Sequence, residues 1–394
     1  MRVTVSKFVK VQREYFSFDT PSSIFVVIMM KYLYIIFALI CFASCSLKER
    51  SYLAFDEVQY VERFPQSFEI SSSAGQEVNW NLIGIKNFII YDTLFIVSTV
   101  EKEGLWTILS TKNLKILGSF IKRGKGPNEF VQSPNPSRTQ MCKQGKSVKG
   151  KIYDTYTGKL YEMNVSESLK KGTLQMCCLN DSLPKSIFDF AILNTTDSYY
   201  CKKMVNNQTQ RERYILQNGQ KYIPKSFEQL NRASVYKPEN LNILSTITKK
   251  HPQKDLLVEA PISFNTINLF SADGSFYKTI CMEKKLYSIE EIEEIDLWER
   301  IYTYGDVRIY EHFFGVLYIG ETNKDFQLGR KKDPIIRLFD WEGNPLAEIK
   351  LNRFITSFDM DLRNGYLYTM DHQTDEFYQY DIQNILVNIP TVNK

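Results

Sequence analysis

Six recurrences of one short pattern predict an all-β chain folded as a six-bladed β-propeller of four-stranded antiparallel blades. The pattern is an aromatic or branched strand, a tight polar turn and a second strand. With Leu109, Met163, Leu216, Phe270, Phe339 and Tyr380 as equivalent points, successive copies lie 54, 53, 54, 69 and 41 residues apart. A period near fifty is what four short strands and their turns require, and units that cannot bury both faces alone stack around a ring. The composition agrees: 26 Phe and 24 Tyr bring aromatics to 14%, which favours strands. A pair of β-sandwiches does not account for spacings as equal as 53 and 54.

The copies run LWTILSTKNLKILGSF (105–120), KLYEMNVSES (159–168), RYILQNGQKYI (213–223), TINLFSADGSFYKTI (266–280), IIRLFDWEGNPLAEI (335–349) and FYQYDIQNILV (377–387). Asp273-Gly274 and Glu342-Gly343-Asn344 are hairpin signals between alternating runs. The fourth blade reads as strands at 241–248, 256–260, 266–270 and 275–282, and the last as 355–361, 366–370 and 377–381. Ser288-Ile289-Glu290-Glu291 is a capping box, followed by Ile292, Ile295, Trp298 and Ile301 at helical spacing. One inserted helix near 289–302, about three turns long, absorbs the spacing of 69. The short final spacing leaves the last blade needing an outer strand, supplied by 58–64 or by 385–389. Either closes the ring and removes a sheet edge.

Ahead of the ring, MKYLYIIFALICFASCSLKER begins at Met30. Lys31 forms a short positive region and 32–43 an apolar one, too short for a membrane-spanning helix, which needs about 20 residues. Its flanks are those of an export signal. Phe42-Ala43-Ser44-Cys45 resembles a bacterial lipobox, in which the cysteine is acylated and becomes the new N-terminus; Phe42 stands where Leu is usual. The expected organisation is 1–29 outside the mature structure, with translation starting at Met29 or Met30. A lipoprotein signal follows over 30–44, a linker over 45–55 and the propeller over 56–394. Residues 1–44 hold five of the basic and two of the acidic side chains, so the net charge of +4 leaves about +1 for the rest. That balance provides no field for nucleic acid.

Beyond Cys41 and Cys45, the cysteines are Cys142, Cys177, Cys178, Cys201 and Cys281, with no CxxC or Cys/His ligand spacing. Two readings stand: a bridge from Cys177 or Cys178 to Cys201, or free thiols.

IKRGKGPNEF (121–130) invites a phosphate-loop reading, but its spacing is neither GxxxxGK[ST] nor GxGxxG, and no helix follows to supply a dipole. The string reads instead as a structural connector from blade 1 into blade 2. Gly124 and Gly126 permit unusual backbone angles, Pro127 fixes a turn, Phe130 plugs between blades and Glu129 binds nearby amides or a basic residue. His251 sits in a His-Pro turn and is expected to be exposed. Glu311-His312 and Asp371-His372 are neighbours on presumed strands, pointing to opposite faces and making no dyad. Lys143, Lys146, Lys149 and Lys151 read as a solvated hairpin.

The lipobox, LGSFIKRGKGPNEFVQSP (117–134) and ILSTITKKHPQKDLLVEAPISFNTINLFSADG (243–274) together resemble the TolB-like six-bladed β-propeller lipoproteins of Bacteroidetes. The Gly124-Lys125-Gly126-Pro127-Asn128-Glu129-Phe130 string is also similar to one recurring between blades of NHL-type propellers. The resemblance covers about 45–390. It implies the fold and an envelope location, and no enzymatic activity or catalytic residues. Some six-bladed propellers are calcium-dependent lactonases or esterases, and Asp154, Asp189, Asp359 and Asp371 are the candidates for such an axial site, since calcium takes about 6–8 oxygens. The expectation is a lipid-anchored binding or scaffolding module for a protein or glycan partner. It needs no cofactor and sits at the outer membrane, facing the periplasm because Ser46-Leu47-Lys48-Glu49-Arg50 lacks an acidic export run.

Overall fold

In the computed structural model, residues 50–80, 82–329 and 332–389 are described. The signal region and Cys45 lie outside them. The propeller belongs to the compact unit Ser51–Lys394.

Six antiparallel sheets follow one another along the chain. Blade 1 comprises Asn87–Tyr91, Leu94–Ser98, Trp106–Ser110 and Ile116–Phe120. Blade 2 comprises Gln140–Gln144, Ser147–Asp154, Lys159–Asn164 and Met176–Asn180, and blade 3 Asp189–Ile192, Ser198–Val205, Gln210–Gln217 and Gln220–Tyr222. Blade 4 is built from Thr246–Lys250, Leu256–Pro261, Thr266–Ser271 and Tyr277–Met282, and blade 5 from Ile301–Ile309, Phe313–Thr322, Ile335–Asp340 and Pro345–Leu351. Blade 6 has Ser357–Asp361, Tyr366–Asp371 and Glu376–Asp381.

The core is a set of six apolar slabs, each between neighbouring blades. Ile96 and Ile108 of blade 1 meet Val148 and Ile152 of blade 2; Leu160 meets Tyr199 and Tyr214 of blade 3. Tyr200 and Ile215 meet Leu257 and Phe270 of blade 4, and Val258 and Ile267 meet Phe314 and Phe339 of blade 5. Leu317 and Ile336 pack on Phe358 and Leu367 of blade 6, whose Tyr368 and Phe377 pack on Phe88 and Phe95 of blade 1. A sheet buried on both faces needs apolar side chains at odd and even positions, which explains the apolar run Leu94–Val97. Thr266–Phe270 is buried throughout too, its polar Asn268 hydrogen-bonded to the Leu53 carbonyl and to Thr279 Oγ1.

The ring closes differently from the sequence expectation. Val58–Val61 adds to blade 4 as a fifth strand, running parallel to Tyr277–Met282: Val58 pairs with Thr279 and Val61 with Met282. Ser67–Ile70 adds in the same parallel sense to blade 5, opposite Glu348 to Leu351. The closing strand is Gln76–Glu77, antiparallel to Tyr378 and Gln379 of blade 6. Segment 58–64 therefore does not complete the last blade, and blades 4 and 5 carry five strands. The other candidate, 385–389, lies within and just after the helix Gln383–Asn388. It packs its buried Leu386 and Ile389 on the slab between blades 5 and 6.

The inserted helix is shorter than expected. The Ser288/Glu291 capping box is formed, yet the helix covers only Ile289–Glu293. Asp296 ends the run: its side chain accepts from Trp298 N–H at 2.9 Å, and its carbonyl from the N–H groups of Glu299 and Arg300 at 3.0 Å. Short helices also occur at Val165–Lys171, Phe227–Arg232 and Asn323–Leu328. The fourth blade starts later than read, at Thr246, because Pro238–Leu244 is a 3-10 turn. Among the described residues no helix is long and apolar enough to cross a membrane.

Candidate functional site

The first strand of every blade lines one axial funnel of about 840 Å³. Blade 1 contributes Tyr91 and Asp92, blade 2 Gln140 and Lys143, blade 3 Asp189 and Phe190, blade 4 Lys249 and His251, blade 5 Arg308 and Tyr310, and blade 6 Asp359 and Arg363. The volume is in the range of small-ligand pockets, about 300–1,000 Å³.

Most charges in the funnel neutralise each other. Asp92 binds Lys143 at 2.9 Å and also Arg363, which together hold its carboxyl below the usual range. Asp189 pairs with the buried Lys202. Arg308 binds Asp306 at 2.8 Å, donates to Ser357 Oγ at 2.7 Å and to the Phe88 carbonyl at 2.8 Å, and lies 3.6 Å from Asp359. Asp359 also accepts from Tyr310 Oη–H at 3.0 Å and Ile90 N–H at 2.8 Å, joining blades 5, 6 and 1. Burial nevertheless pushes its carboxyl up, against the pull of Arg308.

Two cations differ. Arg138, in the turn entering blade 2, donates to the Phe188 carbonyl at 2.9 Å. Lys249, from blade 4, donates from Nζ to the Ser137 carbonyl beside it. Neither has a carboxylate partner among the described residues. Burial pushes the Lys249 ammonium down to about 7, with repulsion from Arg308 and Arg138 exceeding what Asp306 and Asp189 return.

His251 is not exposed. It is 2% accessible, packs on Trp341 at 4.6 Å between ring centres, and its Nδ1 accepts from Gln253 N–H at 2.9 Å and Lys254 N–H at 3.0 Å. The turn folds back over its own first residue, so a His-Pro turn that looks solvated in sequence buries its ring. His312 lies in the turn after blade 5's first strand, and His372 N–H donates to Thr356 Oγ1 at 3.0 Å from the turn after Tyr366–Asp371.

The residues weighed for calcium do not form a cage. Asp189 and Asp359 reach the funnel but hold cations; Asp154 caps its own turn through Tyr156 N–H at 3.0 Å, and Asp371 accepts from Gln373 N–H at 3.0 Å. Among the described residues no three His, Cys, Asp or Glu side chains could hold a metal ion. Cys178, exposed on blade 2's outer strand, and Cys201, buried within blade 3, are both free thiols. No bridge joins them, because Cys201 faces the slab between blades 2 and 3 while Cys178 is on an open edge.

In IKRGKGPNEF the left-handed backbone falls on Ile121 (φ 67°) and Asn128 (φ 60°), not on Gly124 or Gly126. Those glycines make room instead. A Cβ on Gly124 would collide with Glu129 Oε2, which accepts from Gly126 N–H at 2.8 Å. Pro127 precedes the Asn128 turn. Phe130 is buried against Tyr161 of blade 2, at 5.3 Å between ring centres. Lys143 and Lys149 of the basic hairpin pair with Asp92 and Glu162.

Sequence reasoning passed over Lys249, Arg138 and Arg308. A signal was present in TITKKHP, where two adjacent lysines end a strand whose place in the blade makes it line the axis.

Six blades around a polar axial funnel define a six-bladed propeller. The chain belongs to the TolB-like 6-blade propeller-like family, whose model matches residues 87–363. No curated protein matches the sequence significantly. A solved member of the duf4221 family from Bacteroides vulgatus is 10% identical, with a TM-score of 0.46 over 79% of this chain and 94% of that one. A solved Bacteroides fragilis protein is 10% identical, with a TM-score of 0.43 over 77% of this chain and 88% of that one. Kuenenia stuttgartiensis hydrazine synthase is 11% identical, at 0.41 over 79% and 80%.

Proposed function

We propose that this protein is an envelope binding module, tethered through acylated Cys45 to the outer membrane and facing the periplasm, that takes a glycan ligand into its axial funnel. The observation that carries this reading is the funnel itself: six strands converge on a sugar-sized space whose charged groups are fixed by neighbours on other blades. Such preorganisation suits recognition, because little side-chain freedom is lost on binding. The test is a glycan-panel screen of the full chain in detergent, repeated with Arg308→Met. Binding that survives loss of this funnel-lining guanidinium, with the ring still folded, would sink the funnel reading.

A protein partner is the second reading, favoured by a separate surface. Leu297, Trp298, Ile301 and Leu328 are 57%, 49%, 41% and 64% exposed. Asn323 Nδ2–H donates to the Leu297 carbonyl at 2.8 Å, and Lys324 N–H to that of Trp298 at 2.9 Å, which gathers them around the helix Asn323–Leu328. They lie at the opposite end of blade 5's first strand from Arg308 and Tyr310. Affinity capture followed by mass spectrometry tests this surface. For the tether, a Cys45→Ser chain that still partitions with membranes would refute acylation there.

A further inference from the structure

Lys249 is a buried amine with no ion-paired carboxylate among the described residues. It is 9% accessible and lines the funnel, and its neighbours include two guanidiniums, Arg308 and Arg138. Taking an ammonium out of water costs several kcal/mol unless an anion or a full set of acceptors compensates, and one carbonyl is a partial set. The fold could have placed a carboxylate there, as it does for Lys202 with Asp189 and Glu259. Resting on the funnel reading above, we propose that Lys249 and Arg138 form an anion subsite that receives the carboxylate of an acidic sugar.

Three features select that chemistry. Ser137 and Arg138 are adjacent, so the bond from Lys249 to the Ser137 carbonyl holds both cations at one place in the funnel. Asp189 and Asp306 stand around it, each already bound to a cation, and they oppose a second negative charge. A monoanionic carboxylate is therefore preferred to a phosphate dianion. Beside the cations, Tyr153 and Phe190 stack at 4.2 Å with 17° between planes, and Phe188 is 37% exposed. Phe190 also stacks on Tyr199 and Arg211 lies over the Phe188 ring at 4.9 Å, so the wall offers apolar contact to the C–H groups of a sugar and not a free Phe190 face.

The groups facing Lys249 are Arg308 and Asp306 from blade 5, Asp189 from blade 3 and Arg138 ahead of blade 2, with Lys250 and His251 next to it on its own strand. Since the amine loses its proton near neutrality, carboxylate affinity falls as pH rises through that region.

Calorimetric titration of the full chain in detergent with glucuronate, its methyl ester and inorganic phosphate tests the subsite. Glucuronate should bind at least about tenfold more tightly than the ester, and Lys249→Met and Arg138→Gln should each weaken it by roughly tenfold. Lys249→Arg should keep the affinity and lose the pH dependence. Arg138 is not deeply buried, so Arg138→Gln reports on the subsite even if Lys249→Met perturbs folding. Equal binding of ester and acid would overturn the subsite while leaving the funnel reading intact, and phosphate binding tighter than glucuronate would overturn the choice of carboxylate. Binding of none of the three probes would also overturn it; the funnel reading then stands or falls on the glycan panel.

Discussion

Arg213 and Glu259 form a fully buried, two-pronged ion pair across the boundary of blades 3 and 4. Arg213 Nε–H lies 3.2 Å from Oε1 and 3.0 Å from Oε2, and Nη2 also donates to Oε1. Lys202 Nζ reaches the same carboxylate at 3.2 Å, and Tyr200 Oη–H at 3.4 Å. Burial alone would push the Glu259 carboxyl up, but Arg213 and Lys202 outweigh it and hold it at about 2. Removing one partner strands a charge away from water, so Arg213→Met should cost about 3–5 kcal/mol in urea melts. The Arg213→Met/Glu259→Leu pair should cost less than the sum of the single changes, since neither charge is then left alone.

Lys249 should destabilise the ring at neutral pH. Its folded-state value, about 7, is below the ordinary 10.5, so the unfolded chain binds more protons between those limits and stability rises with pH across them. Lys249→Met should therefore melt higher than the parent at about pH 7, with the gap narrowing by about pH 9. A gap that is constant with pH would show that the ammonium is not the cause.

His251 gives the opposite end of the pH scale. Burial, with repulsion from Lys254 and Lys250, lowers it from 6.5 to about 4. A protonated Nδ1 cannot accept the two N–H groups that now point at it. The stability it supports is complete above 6.5 and is lost as pH falls towards 4. Melting temperature should drop over that interval in the parent and less steeply in His251→Asn.

Gly124→Ala should displace the Glu129 carboxylate and lose its bond to Gly126 N–H, costing about 1 kcal/mol. Gly124→Ala with Glu129→Ala should cost no more than Glu129→Ala alone. Additive losses in chemical denaturation would mean that the glycine serves something else.

Trp298→Ser should leave the melting point nearly unchanged, within roughly 0.5 kcal/mol of stability, because the ring is half exposed. If the apolar surface docks a protein, the substitution should abolish its capture without changing glycan binding in the funnel.

The blades are legible in the sequence because each copy carries its own turn and its own two-sided apolar strands. Segment 58–64 is legible as an outer strand but its partner blade is not, and strand 67–70 is missed altogether, since parallel additions at a sheet edge have no hairpin to mark the partner or the register. Glycine spacing identifies 121–130 as a connector but misplaces the reason, because close approach of a side chain leaves the same sequence trace as an unusual φ. The funnel chemistry is hidden for a related cause. Alternation along Thr246–Lys250 says that residues face two ways, while only the ring tells which way is the axis.

Residues 58–77 pair with partners between 279 and 379. A chain that emerges N-terminus first thus carries three strands whose partners arrive last. Blades 1 to 3 hold all their own strands and can assemble in passing, whereas blades 4 to 6 wait for the earliest segment to be threaded along their outer edges. The ring consequently sets like a clasp rather than a stack, with its slow, long-range step at the end of synthesis. Trimming the first strands should leave blades 4 and 5 with four strands each and blade 6 with three, so the open seam falls at blade 6.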